Sequence, residues 1–397
     1  MAKTRKKTKS DDSISNNLKG FFRKGAQFQS AGNIPTGHFV LDFIINKGEN
    51  PQKVDLSQVK DYDPKATLGL PLGKLVEIYG DEGSGKSSLA YRVAGYAQKM
   101  GYGVAWIDSE HSFSEDLAII NGCNVNDLYY SNLIDADNPD NTFYAEDVID
   151  RICTTCASEK ENVKVIILDT VANLVCKDVW DAKSEKNFYA IIPRLLSQTL
   201  GKVVGYAEKY GVLLIFINQM REKVGVMFGN PETSPGGKAL KHNASVRICV
   251  KKKGGKDANI YVEDEETGED RLIGRHSYVY IVKNRLSKPY LGNIEIPIYY
   301  EPYFPEIEEI AFDVGRQIKL ISVRKGVFSW NDNKVEGRRS FIDHLIKNNL
   351  VDDLIKEIKE SALENKMILP PELLMYEEKK VYKKCGKTDS KTQKEKE

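Results

Sequence analysis

Six short apolar runs organise the middle of the chain: Leu75 to Tyr79, Val104 to Asp108, Val163 to Asp169, Val212 to Asn218, Ser245 to Val250 and Ser277 to Val282. Runs this short, bounded by glycine or polar residues, predict buried strands. Between the early runs the apolar residues recur at helical spacing, as do Leu89, Val93, Tyr96 and Ala97. Strand and helix in alternation predict a mainly parallel, doubly wound α/β sheet. Outside this core the pattern changes. Residues 18–32 predict a short amphipathic helix, and IPTGHFVLDFII carries strand-like and then helical spacing. Residues 47–68, with Pro51, Pro64 and many charges, predict a loop insertion, and residues 251–275 are polar enough for a hairpin or loop. From about residue 306, charged helical segments surround the aromatic patch VFSW, which predicts a small separate C-terminal domain.

The first apolar run leads into Gly80 to Ser87 (GDEGSGKS), a match to G-x-x-x-x-G-K-[ST] set between a predicted strand and a predicted helix. That context is the one the motif requires. Gly80, Gly83 and Gly85 let the backbone approach closely, so that the N–H groups of the loop, from Asp81, Glu82 and Ser84 to Ser88, can surround polyphosphate oxygens at a helix N-terminus. Lys86 directs a full positive charge toward the β- and γ-phosphates, and the Ser87 hydroxyl is a ligand for Mg²⁺. The implied ligands are ATP and Mg²⁺.

Hydrolysis of such a nucleotide needs a carboxylate near the metal and a group that orients the attacking water. VKVIILDT ends a buried run in Asp169, which suits a metal-organising acid at the carboxyl edge of a parallel sheet. AWIDSEH ends another with Asp108, Glu110 and His111. Strand alternation would put Glu110 and Asp108 on one face, and Glu110 is the better general base because a carboxylate is already ionised at neutral pH. VLLIFINQ ends in Asn218 and Gln219, neutral amides that could bond a γ-phosphate and move when it leaves. The segment after Gln219 combines glycines and prolines with Arg221, Lys223, Lys238 and Lys241, and carries Val226, Met227 and Phe228 on a loop. Exposed apolar groups on a basic loop either pack on another subunit or insert between unstacked bases while the cations hold phosphates.

Composition narrows the setting. The chain has 58 basic and 57 acidic residues, a net charge of +1, so local asymmetry matters more than the total. Lys3, Arg5, Lys6, Lys7 and Lys9 stand without an acid at the start, and the end from Lys379 to Glu397 is Lys-rich. These tails suit solubility or attraction of polyanions. No secretory h-region and no apolar run of membrane length is present, so no membrane partner and a cytoplasmic location are expected. The six cysteines are scattered except for Cys153 and Cys156, a lone C-x-x-C without a second pair or nearby His to complete a zinc site.

FINQMREKVGVMFGNPETSPGGKALK closely resembles the second DNA-binding loop of the bacterial RecA-type DNA strand-exchange recombinases. The similarity covers about residues 34–46 and 73–360 and includes the phosphate loop, IDSEH, ILDT, Gln219 and VKNRLSKPY. The resemblance implies a P-loop NTPase core in an ATP-dependent recombinase that forms a right-handed helical homo-oligomeric filament on single-stranded DNA and exchanges strands with homologous double-stranded DNA. It implies Glu110 as catalytic base, Gln219 as γ-phosphate sensor, and Lys283 and Arg285 as cations reaching the neighbour's triphosphate. DNA contacts fall on Arg194, Ser197, Met220, Arg221, Val224, Met227, Phe228, Gly229, Gly236 and Gly237. The first DNA loop falls at about Asp178 to Asn187.

The chain also departs from the family. His242 and Asn243 replace two aromatics tied to coupling between subunits. Leu117 and Ser114 replace an aromatic and an Asp at the adenine, and the acidic C-terminal tail of the family is basic here. The expected organisation is a basic tail (1–17), an N-terminal oligomerisation segment (18–46), a polar insertion (47–70), the ATPase core (71–305), a small α+β C-terminal domain (306–375) and a second basic tail (376–397). A DNA motor or helicase on the same core, or a weakly catalytic accessory filament protein, are the alternatives.

Overall fold

The computed structural model describes residues 32–49, 67–138, 141–158, 160–182, 191–222, 232–233, 237–255, 258–263, 270–301, 307–364 and 373. The described residues from Asn33 onward form one compact unit. The predicted N-terminal helix, both tails, most of the 47–68 insertion and most of the predicted DNA loops lie outside the described residues.

The chain opens with β1 (Asn33–Ile34), α1 (Phe39–Lys47) and β2 (Leu70–Pro71), and β1 pairs antiparallel with β2. The core follows as β3 (Leu75–Gly80), α2 (Lys86–Lys99), β4 (Gly103–Asp108), α3 (Glu115–Ile120), β5 (Leu128–Ser131), α4 (Ala145–Ala157), β6 (Val163–Asp169), α5 (Lys177–Trp180), α6 (Ile191–Tyr210) and β7 (Leu213–Gln219). Then come β8 (Arg221–Glu222), β9 (Glu232–Thr233), α7 (Gly237–Asn243), β10 (Val246–Lys252), β11 (Asn259–Glu263), β12 (Asp270–Asn284) and β13 (Asn293–Tyr299). The C-terminal part holds α8 (Ile307–Gln317), β14 (Ser322–Arg324), β15 (Val327–Trp330), β16 (Asn333–Glu336), α9 (Arg338–Lys347) and α10 (Val351–Glu364).

Nine strands form the central sheet in the order β11-β12-β10-β3-β7-β6-β4-β5, with β13 on β12. The ladders from β10 to β5 are parallel and those made by β12 are antiparallel. Parallel strands need crossover helices, and these cover both faces. Side-chain alternation separates the two cores. Val76, Ile78, Trp106, Ile167 and Ile215 face a cluster with α1 and α2, whereas Leu75, Ala105, Ile166, Leu168 and Phe216 face α4 and α6. Leu41, Ile44 and Ile45 of α1 belong to the first cluster. Cys153 and Cys156 are buried in the second, behaving as small apolar side chains. A third cluster, including Phe312, Phe328, Trp330, Phe341 and Ile355, holds the C-terminal helices on the sheet β14-β15-β16. No described helix is long and apolar enough to cross a membrane.

Each of the six predicted strands is found within a residue or two, except that β12 is 15 residues long and begins at Asp270. Its polar first part pairs with β11, so the polar stretch before Ser277 is a hairpin.

Candidate nucleotide and DNA-binding site

Because β3, β7, β6 and β4 are parallel neighbours, their carboxyl ends share one edge. The phosphate loop leaves β3 there, and tight packing dictates its glycines. A Cβ on Gly80 would come within 2.0 Å of the Val250 carbonyl, and Gly85 has φ +97° with 2.6 Å between an added Cβ and Ile298. Gly85 caps α2 without a side-chain acceptor, and no acid stands in the first turn of α2. The helix therefore keeps N–H donors for an anion. Ser84 Oγ is buried without a hydrogen-bond partner among the described residues. Lys86 Nζ folds back to donate to the Asp81 carbonyl at 2.7 Å. Burial holds the Lys86 pKa below its usual value, against the pull of Asp169, Glu110, Asp81 and Glu82. An open helix end, an orphaned hydroxyl and a cation turned into its own loop fit a bound polyphosphate.

Ser87 and Asp169 meet across this edge, Ser87 Oγ donating to Asp169 Oδ2 at 2.8 Å. Burial raises the Asp169 pKa to about 6. The Ser87 hydrogen bond opposes that rise, Glu110 and Asp108 add to it, and Lys86 opposes it. A hydroxyl and a crowded carboxylate form the oxygen donor set a Mg²⁺ ion takes, and its charge would relieve the crowding.

Gln219 Nε2 donates to Glu110 Oε1 at 2.9 Å, so the candidate sensor and the candidate base touch. Glu110 owes its place to the bend that follows β4, not to strand alternation, since β4 ends at Asp108. Asp108 is buried and organises that bend. It accepts N–H bonds from Glu110, Ser112 and Phe113 at 3.2, 3.3 and 3.0 Å, and the Tyr130 hydroxyl at 3.1 Å. Ser109 Oγ donates to the Thr170 carbonyl at 2.6 Å and accepts from Thr170 N at 3.0 Å, tying the bend to the end of β6.

Lys283 and Arg285 lie elsewhere. One strand, β10, separates β12 from β3, and Lys283 Nζ donates to the carbonyls of Lys241 and His242 at 2.6 and 2.9 Å, at the C-terminus of α7. Its pKa is lowered by burial and by the cations Arg285 and Arg247, against Glu77. Its own phosphate loop is not among these partners.

The family profile described as RecA N-terminal domain matches residues 62–303. The chain belongs to the RecA family. It is 32% identical over 354 residues to the Protein RecA of Porphyromonas gingivalis, covering 87% of this chain and 91% of that relative. It is 34% identical over 294 residues to the Protein RecA of Clostridioides difficile (74% and 77% covered), and 32% over 340 residues to that of Chloroflexus aurantiacus (85% and 85%).

The DNA-contact candidates of this RecA family chain divide in two. Arg194 and Ser197 are exposed one turn apart on α6, and Gly201 continues that face. Met220 N donates to the Gly80 carbonyl at 3.1 Å, so the segment that leaves β7 starts beside the phosphate loop. Its base is closed by the pairs Arg221 with Thr233 and Glu222 with Glu232. Gly237, at the start of α7, packs on Pro193 of α6, which brings together the segments that follow both predicted loops. Val224, Met227, Phe228, Gly229 and Gly236 lie outside the described residues.

Two functional candidates, Glu77 and Arg247, belong to none of the motifs in the sequence. Both are charges inside apolar runs, LVEIY and VRICV, and that is the signal that marks a buried pair. Glu77 accepts from Arg247 Nε and from Asn218 Nδ2.

Proposed function

We propose that this chain is an ATP-dependent DNA recombinase that assembles as a helical filament on single-stranded DNA and pairs it with homologous duplex. The observation that carries the reading is the pairing of Gln219 with Glu110 on the edge where the phosphate loop, Ser87 and Asp169 converge. The loop that follows Gln219 has the family's DNA-binding sequence. A sensor that touches the base and opens a DNA loop can report the γ-phosphate to DNA.

In the proposed cycle, backbone N–H groups from Gly80 to Ser88 and Lys86 hold the polyphosphate. Ser87 and Asp169 hold Mg²⁺, which supplies neutralisation of phosphoryl charge. Glu110 accepts the proton of the attacking water, and the Gln219 amide leaves Glu110 to bond the γ-phosphate. Lys283 and Arg285 serve the neighbouring subunit's nucleotide, so catalysis depends on assembly. Arg194, Ser197, Met220, Arg221 and the 224–237 segment contact DNA. Residues 71–305 act as the ATPase core, 18–46 as the oligomerisation segment and 306–375 as the C-terminal domain, with 47–70 an insertion between basic tails at 1–17 and 376–397. The setting proposed is the cytoplasm.

ATP hydrolysis with and without single-stranded DNA, followed by strand exchange between a circular single strand and a homologous linear duplex, tests this reading. Stimulation by DNA and joint-molecule formation are expected. ATPase activity without pairing, together with closed rings in electron micrographs, would favour a motor instead.

A further inference from the structure

We propose that Glu77 is a positioning residue: its carboxylate holds Asn218 on one side and Arg247 on the other, and through them it sets both Gln219 and Lys283. This rests on the roles given above to Gln219 and Lys283.

Glu77 stands in β3, three residues before Gly80, and is fully buried. On one side its Oε1 accepts from Asn218 Nδ2 at 3.0 Å, and Asn218 Oδ1 accepts from the backbone N–H of Gln219 at 3.1 Å. Asn218 is also fully buried, so its amide has little freedom to turn. The Gln219 side chain, which bonds Glu110, thus starts from a backbone that Glu77 orients.

On the other side Glu77 Oε2 accepts from Arg247 Nε. The Arg247 guanidinium lies over the Tyr79 ring, 4.6 Å from its centroid. Arg247 is the register partner of Lys283, and the β10–β12 ladder shifts register immediately after it. Lys283 therefore stands beside a cation that Glu77 compensates. Without that carboxylate, Lys283 would face Arg247 and Arg285 with the opposing charge of Glu77 removed, which would loosen its seat on the α7 carbonyls.

Apolar residues of similar volume could hold three strands together as well as a buried ion pair does. A chain of directional bonds from Gln219 through Asn218 and Glu77 to Arg247 does something they cannot. It specifies one relative placement of β7, β3 and β10, and so links the nucleotide sensor of one site to the cation offered to the next.

The test uses the full-length protein with Glu77→Gln and Asn218→Ala, and with Gln219→Ala and Lys283→Ala as references. Four quantities are read: affinity for a fluorescent ATP analogue without DNA, kcat and KM of the DNA-stimulated ATPase, the tightening of single-stranded DNA binding by a non-hydrolysable ATP analogue, and the melting temperature. Glu77→Gln and Asn218→Ala are expected to keep analogue affinity within about twofold while kcat falls about tenfold. The nucleotide-induced tightening on DNA is expected to shrink about fivefold or more. Should Glu77→Gln fail to fold, Asn218→Ala decides, because it spares the Glu77–Arg247 pair. Wild-type kcat and tightening in Asn218→Ala overturn the proposal. So does a parallel loss of analogue affinity, kcat and melting temperature, which would reduce the network to a fold-holding element. If Gln219→Ala and Lys283→Ala themselves match wild type, the reading of the site falls and the proposal with it.

Discussion

Along the carboxyl ends of β3, β4, β6 and β7, candidate catalytic side chains touch one another: Ser87 bonds Asp169 and Gln219 bonds Glu110. On β12 the corresponding cation, Lys283, spends its donors on backbone carbonyls of α7 in the same chain. The first region is a set of partners already assembled by one chain. The second is a charge held in reserve, stabilising a helix C-terminus where positive charge is favourable. The difference teaches that one half of the proposed site is assembled within a single chain, whereas the other half, on the proposed reading, has its nucleotide in the neighbour. A triphosphate offers Lys283 more negative charge than two carbonyls, so on the proposed reading Lys283 exchanges its carbonyl partners for the neighbour's phosphates.

The largest expected effect breaks this comparison outright. Lys86→Ala, and Lys283→Ala combined with Arg285→Ala, should each lower DNA-stimulated hydrolysis by about 10³-fold or more, the scale of lost cations at a transferring phosphoryl group. Mixing the two proteins rebuilds an intact loop facing intact cations at one kind of interface, and hydrolysis should reappear in a coupled ATPase assay. Co-assembly on DNA without recovery would return Lys283 and Arg285 to the status of strand-end charges. Next in size, Glu110→Gln should cost about 10²- to 10⁴-fold in kcat while ATP-analogue binding persists. A comparable loss of nucleotide affinity would show that Glu110 binds and does not catalyse.

Smaller effects sharpen the contrast between the nucleotide edge and the DNA loops that leave it. Phe228→Ala should weaken single-stranded DNA binding by about 1–3 kcal/mol and suppress strand exchange, with ATP-analogue affinity unchanged. Equal exchange by variant and wild type would make Phe228 a bystander. Affinity for single-stranded DNA should fall steeply as salt rises, and deleting residues 1–10 should lessen the slope of log affinity against log salt.

The smallest effect on catalysis belongs to neither region. Burial raises the Asp42 pKa to about 8 despite two hydrogen bonds from Thr36 N. The folded state then holds a proton that the unfolded chain releases near the ordinary Asp value, so stability is greatest below that value and is lost as pH rises toward 8. The slope is at most about 1.4 kcal/mol per pH unit for one group. Asp42→Asn should flatten that part of a melting-temperature profile without altering kcat at fixed pH. An unchanged profile would show that Asp42 stays ionised.

Read by itself, the sequence determines the phosphate loop, the six core strands and the family. Each of these rests on local order: a motif of eight consecutive residues, or an apolar run whose neighbours are also neighbours in the chain. It also suffices to name Asp169, Glu110 and Gln219 as strand-end candidates, because parallel strands bring their carboxyl ends to one edge. Edge strands were harder to read. β5 is partly exposed along its whole length, and its LYYS segment has an apolar run of only three residues. Only the tertiary structure decides that Asp108 organises a bend while Glu110 meets Gln219, that Lys283 is seated on α7, and that Glu77 joins Asn218 to Arg247. Those partners stand 109, 41 and 42, and 141 and 170 residues apart. A side chain's charge is written in the sequence, but its partner is chosen by strand order and register, which depend on how the whole sheet packs.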